Sequence, residues 1–259
     1  MAGNVYCEIS GSIATITNDN PTKHNAFDDQ MDAELFAILD DLATRSDIRA
    51  VIWRGNGPSW SSGRDVGSIG TNLTELTHHE LMQRGHGGIQ RLWSIEAPVI
   101  AAIHGWALGG SFQRALLCDI RICSEDARFM LPEVGHGVIP DTGGVAVLQQ
   151  ICGPGLVNDM VLTGRRLSAE EALQHGIVSR VVPREELDST ALDMAERIAG
   201  APAVTVKLAR KVIARLSRPS VRASMEDELI YQTFLNRSDD FAEFKLARTE
   251  ERTPQYRGS

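Results

Sequence analysis

One junction limits the folds open to this chain. An unbroken apolar stretch, Pro98–Ile103, runs into His104-Gly105-Trp106-Ala107-Leu108-Gly109-Gly110-Ser111, after which the pattern turns helical at Phe112–Leu117. A strand without polar alternation is buried on both faces, as in a parallel sheet covered on both sides. A strand that hands a Gly-Gly pair to a helix start also leaves free backbone N–H groups beside the positive helix end. Such a site can hold a phosphate, or the negative oxygen that develops on a reacting carbonyl. The spacing Gly105-x-x-x-Gly109-Gly110 is not the G-x-G-x-x-G of a dinucleotide fold, and no Gly-Lys-Ser/Thr of a phosphate loop is present. The glycines can equally serve close helix–strand packing, so the junction alone leaves its ligand open.

Strands and helices alternate around it. Val5–Ile9 and Ile13–Thr17 read as a hairpin about Gly11, Asp28–Ala43 carries an apolar helical face, and Ala50–Trp53 is a short apolar strand. A loop from residue 66 merges into a helix near 79–95. Ile120–Cys123, Arg128–Met130 and Ile177–Val182 read as further extended pieces. Three helical patterns follow Gly144, punctuated by Gly153-Pro154-Gly155 and Gly164, and Ser168-Ala169-Glu170-Glu171 opens the third as a capping box. From Arg184 onward only helices are expected, at 184–199, 202–216, 220–236 and 238–249. This order predicts an α/β core over residues 1–199 and a helical C-terminal domain over 200–259.

The net charge of −8 argues against a general nucleic-acid binder, which needs a basic face. The four cysteines lack paired metal-ligand spacing, and Cys118 and Cys123 read as reduced core thiols. None of the seven histidines shows H-E-x-x-H spacing, so no metal is expected. No basic-then-apolar leader and no apolar run of membrane-spanning length is seen, which points to a cytoplasmic protein without a membrane partner.

Two strand ends could build a site. Ala50–Trp53 leads to Gly63-Arg64-Asp65, and Pro98–Ile103 leads to Gly109-Gly110. In a parallel sheet these loops emerge on one edge, where open α/β proteins bind ligands. One N–H from each would make a two-donor pocket for a carbonyl oxygen. Downstream, Glu133 stands among apolar residues and glycines, where burial would raise its pKa and suit it to proton transfer. It could instead cap a turn or pair with an arginine. Asp141, before Thr142-Gly143-Gly144, reads as a helix N-cap. His136 could face the same pocket, although a loop hydrogen bond is the simpler reading.

In combination these segments resemble the enoyl-CoA hydratase/isomerase family, also called the crotonase superfamily, over nearly the whole chain. The resemblance rests on Asn20-Pro21-x-x-x-Asn25-Ala26, Ser61-Ser62-Gly63-x-Asp65 and Ala101-Ala102-Ile103-His104-Gly105-x-Ala107-Leu108-Gly109-Gly110. Cys118-Asp119-Ile120-Arg121, Pro132-Glu133-x-Gly135, Pro140-x-x-Gly143-Gly144, Leu162-Thr163-Gly164 and the terminal Glu251-Arg252-x-Pro254-Gln255-Tyr256 continue it in order. It implies an α/β fold, a spiral of β-β-α units with a helical C-terminal domain, assembled as homotrimer or homohexamer. It also implies an acyl-CoA substrate, with coenzyme A entering as part of it and no separate cofactor. By motif position the oxyanion hole falls to the N–H groups of Arg64 and Gly110. Lys23, His24, Ser62, Gly63, Asp65, Val66 and Gly109 fall along the CoA thioester.

Hydratases of the family use two glutamates; Glu133 matches the second, but Gln113 stands at the first. A glutamine can orient a water but cannot exchange its proton near neutral pH. The resemblance therefore implies double-bond isomerisation, or an atypical hydration or lyase reaction, rather than two-carboxylate hydration. Some superfamily members place a working aspartate at the position of Asp141, which would make Glu133 and Asp141 the acid/base pair. The alternative is a catalytically reduced acyl-CoA-binding or assembly protein on the same scaffold.

Overall fold

The protein, seen here as a computed structural model, is described over residues 3–65 and 77–258. The hairpin is present: β1 (Asn4–Ser10) pairs antiparallel with β2 (Ile13–Asp19). All other pairings in the larger, six-stranded sheet are parallel, joining β2 to β3 (Ala50–Gly55), β4 (Val99–Ile103), β6 (Ile120–Ser124) and β9 (Arg180–Val182) in that order. A second sheet of three short strands pairs β5 (Trp106–Leu108) with β7 (Arg128–Met130), and β7 with β8 (Leu167–Ser168). The chain therefore passes repeatedly from one sheet to the other, as β4 to β5 and β6 to β7, before turning into a helix or loop.

The unbroken apolarity of the central strands has a direct cause. Val51, Trp53, Val99, Ala101 and Ile103 point into a core shared with α1 (Asp29–Thr44) and α2 (His78–Ser94). Their alternates Ala50, Ile52, Ile100, Ala102 and Ile122 pack on Leu187, Ala191, Met194 and Ala195 of α6 (Leu187–Gly200). Both faces of the strand are covered, so both sets are apolar. Cys118 and Cys123 are buried free thiols, and burial pushes each up to about 12.

Local signals set several helix starts. Asp28 accepts from the Met31 N–H at 2.9 Å to open α1, and Ser168 and Glu171 form the expected capping box on α5 (Ala169–Gln174). Elsewhere the structure departs from expectation. The helix α3 (Gly109–Leu116) begins three residues before Phe112, directly on the Gly-Gly pair. Residues 202–216 and 220–236 form one helix, α7 (Ala203–Leu235), which runs through Pro219 and packs on α2 and on α4 (Gly144–Thr163). A proline removes one backbone donor, a loss that packing along a long helix can offset. The last helix, α8, spans Asp239–Thr249.

Among the described residues one helix, α4, is long and apolar enough by composition to cross a membrane. It is broken at Gly153, whose φ of 70° and ψ of 176° are not helical, and its Leu148, Val157 and Met160 are buried in the protein.

Candidate active site

The two loops expected to share an edge do so. Ser61 forms a parallel bridge with Ala107, donating to the Trp106 carbonyl at 3.0 Å and accepting from the Leu108 N–H at 3.1 Å. On the other edge of the same segment, Phe27 donates to the Gly63 carbonyl and accepts from the Asp65 N–H, both at 2.8 Å. Backbone groups alternate sides along such a ladder, so the Arg64 N–H faces away from Phe27. The Gly110 N–H belongs to the first turn of α3, which has no intrahelical acceptor. Gly63 has a φ of +94°, and a Cβ there would stand 2.8 Å from the Leu108 carbonyl oxygen. Only glycine permits this approach. A buried hydroxyl pair ties the loops together. Ser61 Oγ gives its hydrogen to the Asn25 carbonyl at 2.6 Å, so Ser111 donates the 2.7 Å bond between the two hydroxyls.

Arg64 and Gly110 line a cavity of about 350 Å3 that also takes in Glu133 and Asp141. Glu133 follows β7 at the start of a 3-10 turn and is only 9% exposed. Its Oε1 accepts from Gln113 Nε2 at 3.0 Å, whereas its Oε2 is buried without a hydrogen-bond partner. Burial pushes this carboxyl up to about 8; its own backbone N–H opposes the rise, the nearby Asp141 adds to it, and the Gln113 amide opposes it. Asp141 is likewise pushed up to about 7 by burial and by Glu228, against the pull of its own N–H and of Arg114.

Asp141 is not a helix cap. The helix α4 starts at Gly144, its capping residue is Gly143 at a φ of 80°, and no side chain caps it. The N–H groups at this helix start go elsewhere: Thr142 and Gly144 donate to Gln113 Oε1 at 3.0 and 3.3 Å, and Gly143 to Glu228 Oε2 at 2.8 Å. None of these bonds uses Asp141, which lines the cavity.

Gln113 also sits differently from its expected role. It is fully buried behind Glu133, outside the cavity wall, and its amide is engaged by protein groups rather than offered to a water.

Two further anchors escaped the sequence reading. His86 Nε2 donates to the Asp141 carbonyl at 2.6 Å, and the Ile139 N–H donates to Gln232 Oε1 at 3.0 Å. Residues 139–144 are thus held by side chains from α2, α3 and α7. The signal for the α7 pair was present: its buried positions Val221, Met225, Glu228 and Gln232 recur at helical spacing, which puts two polar residues on a buried stripe.

Part of the cavity wall is charged. Arg64 bridges Asp32, at 2.7 Å, and Asp29, while Arg114 reaches Asp32 at 2.6 Å and Arg84 reaches Asp29 at 3.4 Å. Another part is apolar, with Val138, Ile139, Phe241 and Phe244. His136 faces this cavity and stacks on Phe244 at 4.6 Å between ring centroids, in place of the expected loop hydrogen bond. Ser62, Gly63 and Gly109 line the cavity, whereas Lys23, His24 and Asp65 do not. Lys23 Nζ pairs with Asp65 at 2.7 Å, and His24 Nδ1 lies 2.9 Å from Ser59 Oγ. Val66 lies outside the described residues.

Comparison with known proteins speaks to family and fold. A family model described as enoyl-CoA hydratase/isomerase matches residues 8–259. Carnitinyl-CoA dehydratase of Escherichia coli (strain K12) is 33% identical, with 100% of both chains covered, and that of Proteus mirabilis (strain HI4320) is equally similar. Among solved structures, an enoyl-CoA hydratase from Mycobacterium avium subsp. paratuberculosis K-10 is 25% identical and matches 98% of each chain with a TM-score of 0.88. An enoyl-CoA hydratase/isomerase from Pseudoalteromonas atlantica T6c is 27% identical, with a TM-score of 0.89 over 98% of this chain and 100% of its own.

Proposed function

Because the chain belongs to the enoyl-CoA hydratase/isomerase family, we propose that it forms and quenches the enolate of an acyl-CoA thioester, with Glu133 and Asp141 as its two proton carriers. One observation carries this reading: two carboxyls, pushed up to about 8 and about 7, share a cavity with the backbone of Arg64 and Gly110. The thioester oxygen would sit on the N–H groups of Arg64 and Gly110, which take up the charge of the enolate; one such donor is typically worth about 2.7–4 kcal/mol. Carboxyls that titrate close to neutrality suit both halves of a proton transfer. The ionised carboxyl removes a proton beside the carbonyl, and the protonated one delivers a proton at the far end of the shifted double bond. Isomerisation needs no third group.

A second reading is loss or addition of water, with the protonated carboxyl serving a leaving hydroxyl. The names of the 33% identical relatives, carnitinyl-CoA dehydratases, favour it. The charged wall around Arg114 and Asp32 supports a short or polar acyl group over a long alkyl chain. The same reading includes coenzyme A as part of the substrate, a cytoplasmic location and a homotrimer or homohexamer.

Incubation with a 3-enoyl-CoA and with crotonyl-CoA in deuterated water tests the proposal. Label at C2 and C4 without water addition is the expected result, and a 3-hydroxyacyl-CoA product would move the assignment to hydration. Full turnover by an Asp141→Asn variant would remove Asp141 from the pair. Acyl-CoA binding without turnover on enoyl, hydroxyacyl and aryl thioesters would make the chain a binding or assembly protein instead.

A further inference from the structure

We propose that Gln113 is a positioning residue for the proton-carrying carboxyl: its amide reserves Oε1 of Glu133 and so makes Oε2 the oxygen that meets the acyl group. What Glu133 does for the substrate rests on the enolate reading above; how Glu133 is held rests on geometry alone.

The orientation of the amide is fixed from both ends. Gln113 Oε1 accepts from the backbone N–H groups of Thr142 and Gly144, and Nε2 donates to Glu133 Oε1. Turning the amide over would set its NH2 against two donors and its carbonyl against a carboxyl oxygen, losing all three bonds. Glu133 Oε1 therefore always faces an N–H and serves as an acceptor. When Glu133 is protonated, the proton sits on Oε2.

Oε2 is also the buried oxygen without a partner, in a side chain nine-tenths buried on the cavity wall. A buried acceptor left unpaired is costly and marks a place where a ligand completes the structure. Oε1, by contrast, is closed in by the start of α3: a Cβ at Gly109 would come within 3.2 Å of it. The Gln113 amide, which carries no charge, holds Glu133 and the Asp141-bearing segment at once, so it sets the spacing of the two proton carriers.

A glutamate at 113 could keep the bonds to Thr142 and Gly144, but its second oxygen would face Glu133 Oε1 at about the same 3.0 Å. Two carboxylates this close cannot both ionise and must share a proton. Gln113 thus keeps Glu133 from being coupled to a third carboxyl. The departure from the hydratase pattern is, on this account, what pairs Glu133 with Asp141.

The test compares wild type with Gln113→Met, Gln113→Glu and Gly144→Ala. The last keeps the amide but displaces it, because the new Cβ would stand 2.7 Å from Gln113 Cβ. Two quantities are read. One is the titration of the Glu133 carboxyl by 13C NMR of glutamate-labelled protein, assigned by its loss in Glu133→Gln. The other is the pH profile of kcat with the thioester that the wild type turns over.

Gln113→Met is expected to raise the Glu133 midpoint, move the matching limb of the profile, and lower kcat by about 10²-fold with KM little changed. Gln113→Glu is expected to raise the midpoint further, and Gly144→Ala to act in the direction of Gln113→Met. Folded variants whose titration and profile superimpose on wild type would overturn the proposal and leave Gln113 as an anchor of the α4 start. If Gln113→Met fails to fold, Gly144→Ala and Gln113→Glu decide in the same way. A wild type without turnover on any thioester would sink the enolate reading instead, while the titration still decides the role of Gln113.

Discussion

Glu133 keeps its proton in the fold over a range where the unfolded chain has lost it. A carboxyl raised from 4.5 to about 8 stabilises the folded state fully below the lower value, and that contribution drains away as pH rises toward the upper one. Glu133→Gln keeps a carbonyl for the Gln113 N–H and removes this liability. It should therefore unfold at a higher temperature than the parent at about pH 9 and at nearly the same temperature at about pH 4, while losing about 10²–10⁴ in turnover. Thermal unfolding followed by circular dichroism reads the first, and label exchange the second. A melting difference that stays flat with pH would mean that Glu133 is ionised in the fold. Glu133 was legible in the sequence because a carboxylate among proline, glycine and apolar neighbours has nowhere to be solvated. Gln113 was visible only as a departure. Its partners lie 20 to 31 positions away, on segments that meet only once the fold is made.

At the level of elements, α3 is tied to the neighbouring loop by the Ser61–Ser111 hydroxyl pair. Ser111→Ala removes the only hydrogen that can bridge them, since Ser61 gives its own to Asn25. The loss should cost about 1–3 kcal/mol, seen as a lowered thermal midpoint. Under the proposed enolate reading it should also lower kcat more than it raises KM, because the Gly110 N–H would act chiefly on the enolate. A variant with wild-type kcat and a lowered midpoint would show that the pair stabilises without aligning the donors. Elements whose signals lie within a few residues were readable: the Ser168–Glu171 box marked its helix, and the apolar run marked β4. The strands β5 and β8, of three and two residues, are too short to carry a period and exist through their partners in the small sheet. The two helices expected at 202–216 and 220–236 are instead one, because packing on α2 and α4 outweighs the donor missing at Pro219.

For the whole molecule, ordered motifs from Asn20 to Tyr256 made the family readable, since several short patterns in one order are far more specific than any of them alone. Assembly is less visible. The first half of α7 presents Val204, Leu208, Val212 and Leu216 at four-residue intervals, each more than half exposed in the single chain. An apolar stripe of this kind usually meets a partner surface. For the proposed homo-oligomer, Leu208→Glu with Val212→Glu should reduce the mass measured by light scattering to that of one chain without lowering helical content, and a multimeric mass that stays unchanged would remove this stripe from the subunit contact. The eight residues of α3 impose a different restriction. They hold Gly110, Ser111, Gln113 and Arg114, which meet the cavity, the neighbouring loop, Glu133 and the charged wall. One inserted residue would turn everything after it by about 100° and advance it by about 1.5 Å. No single repair elsewhere could restore four such alignments. Descendants of this chain can therefore alter its chemistry by exchanging side chains within that helix, whereas changes of length must be absorbed in connections that face solvent.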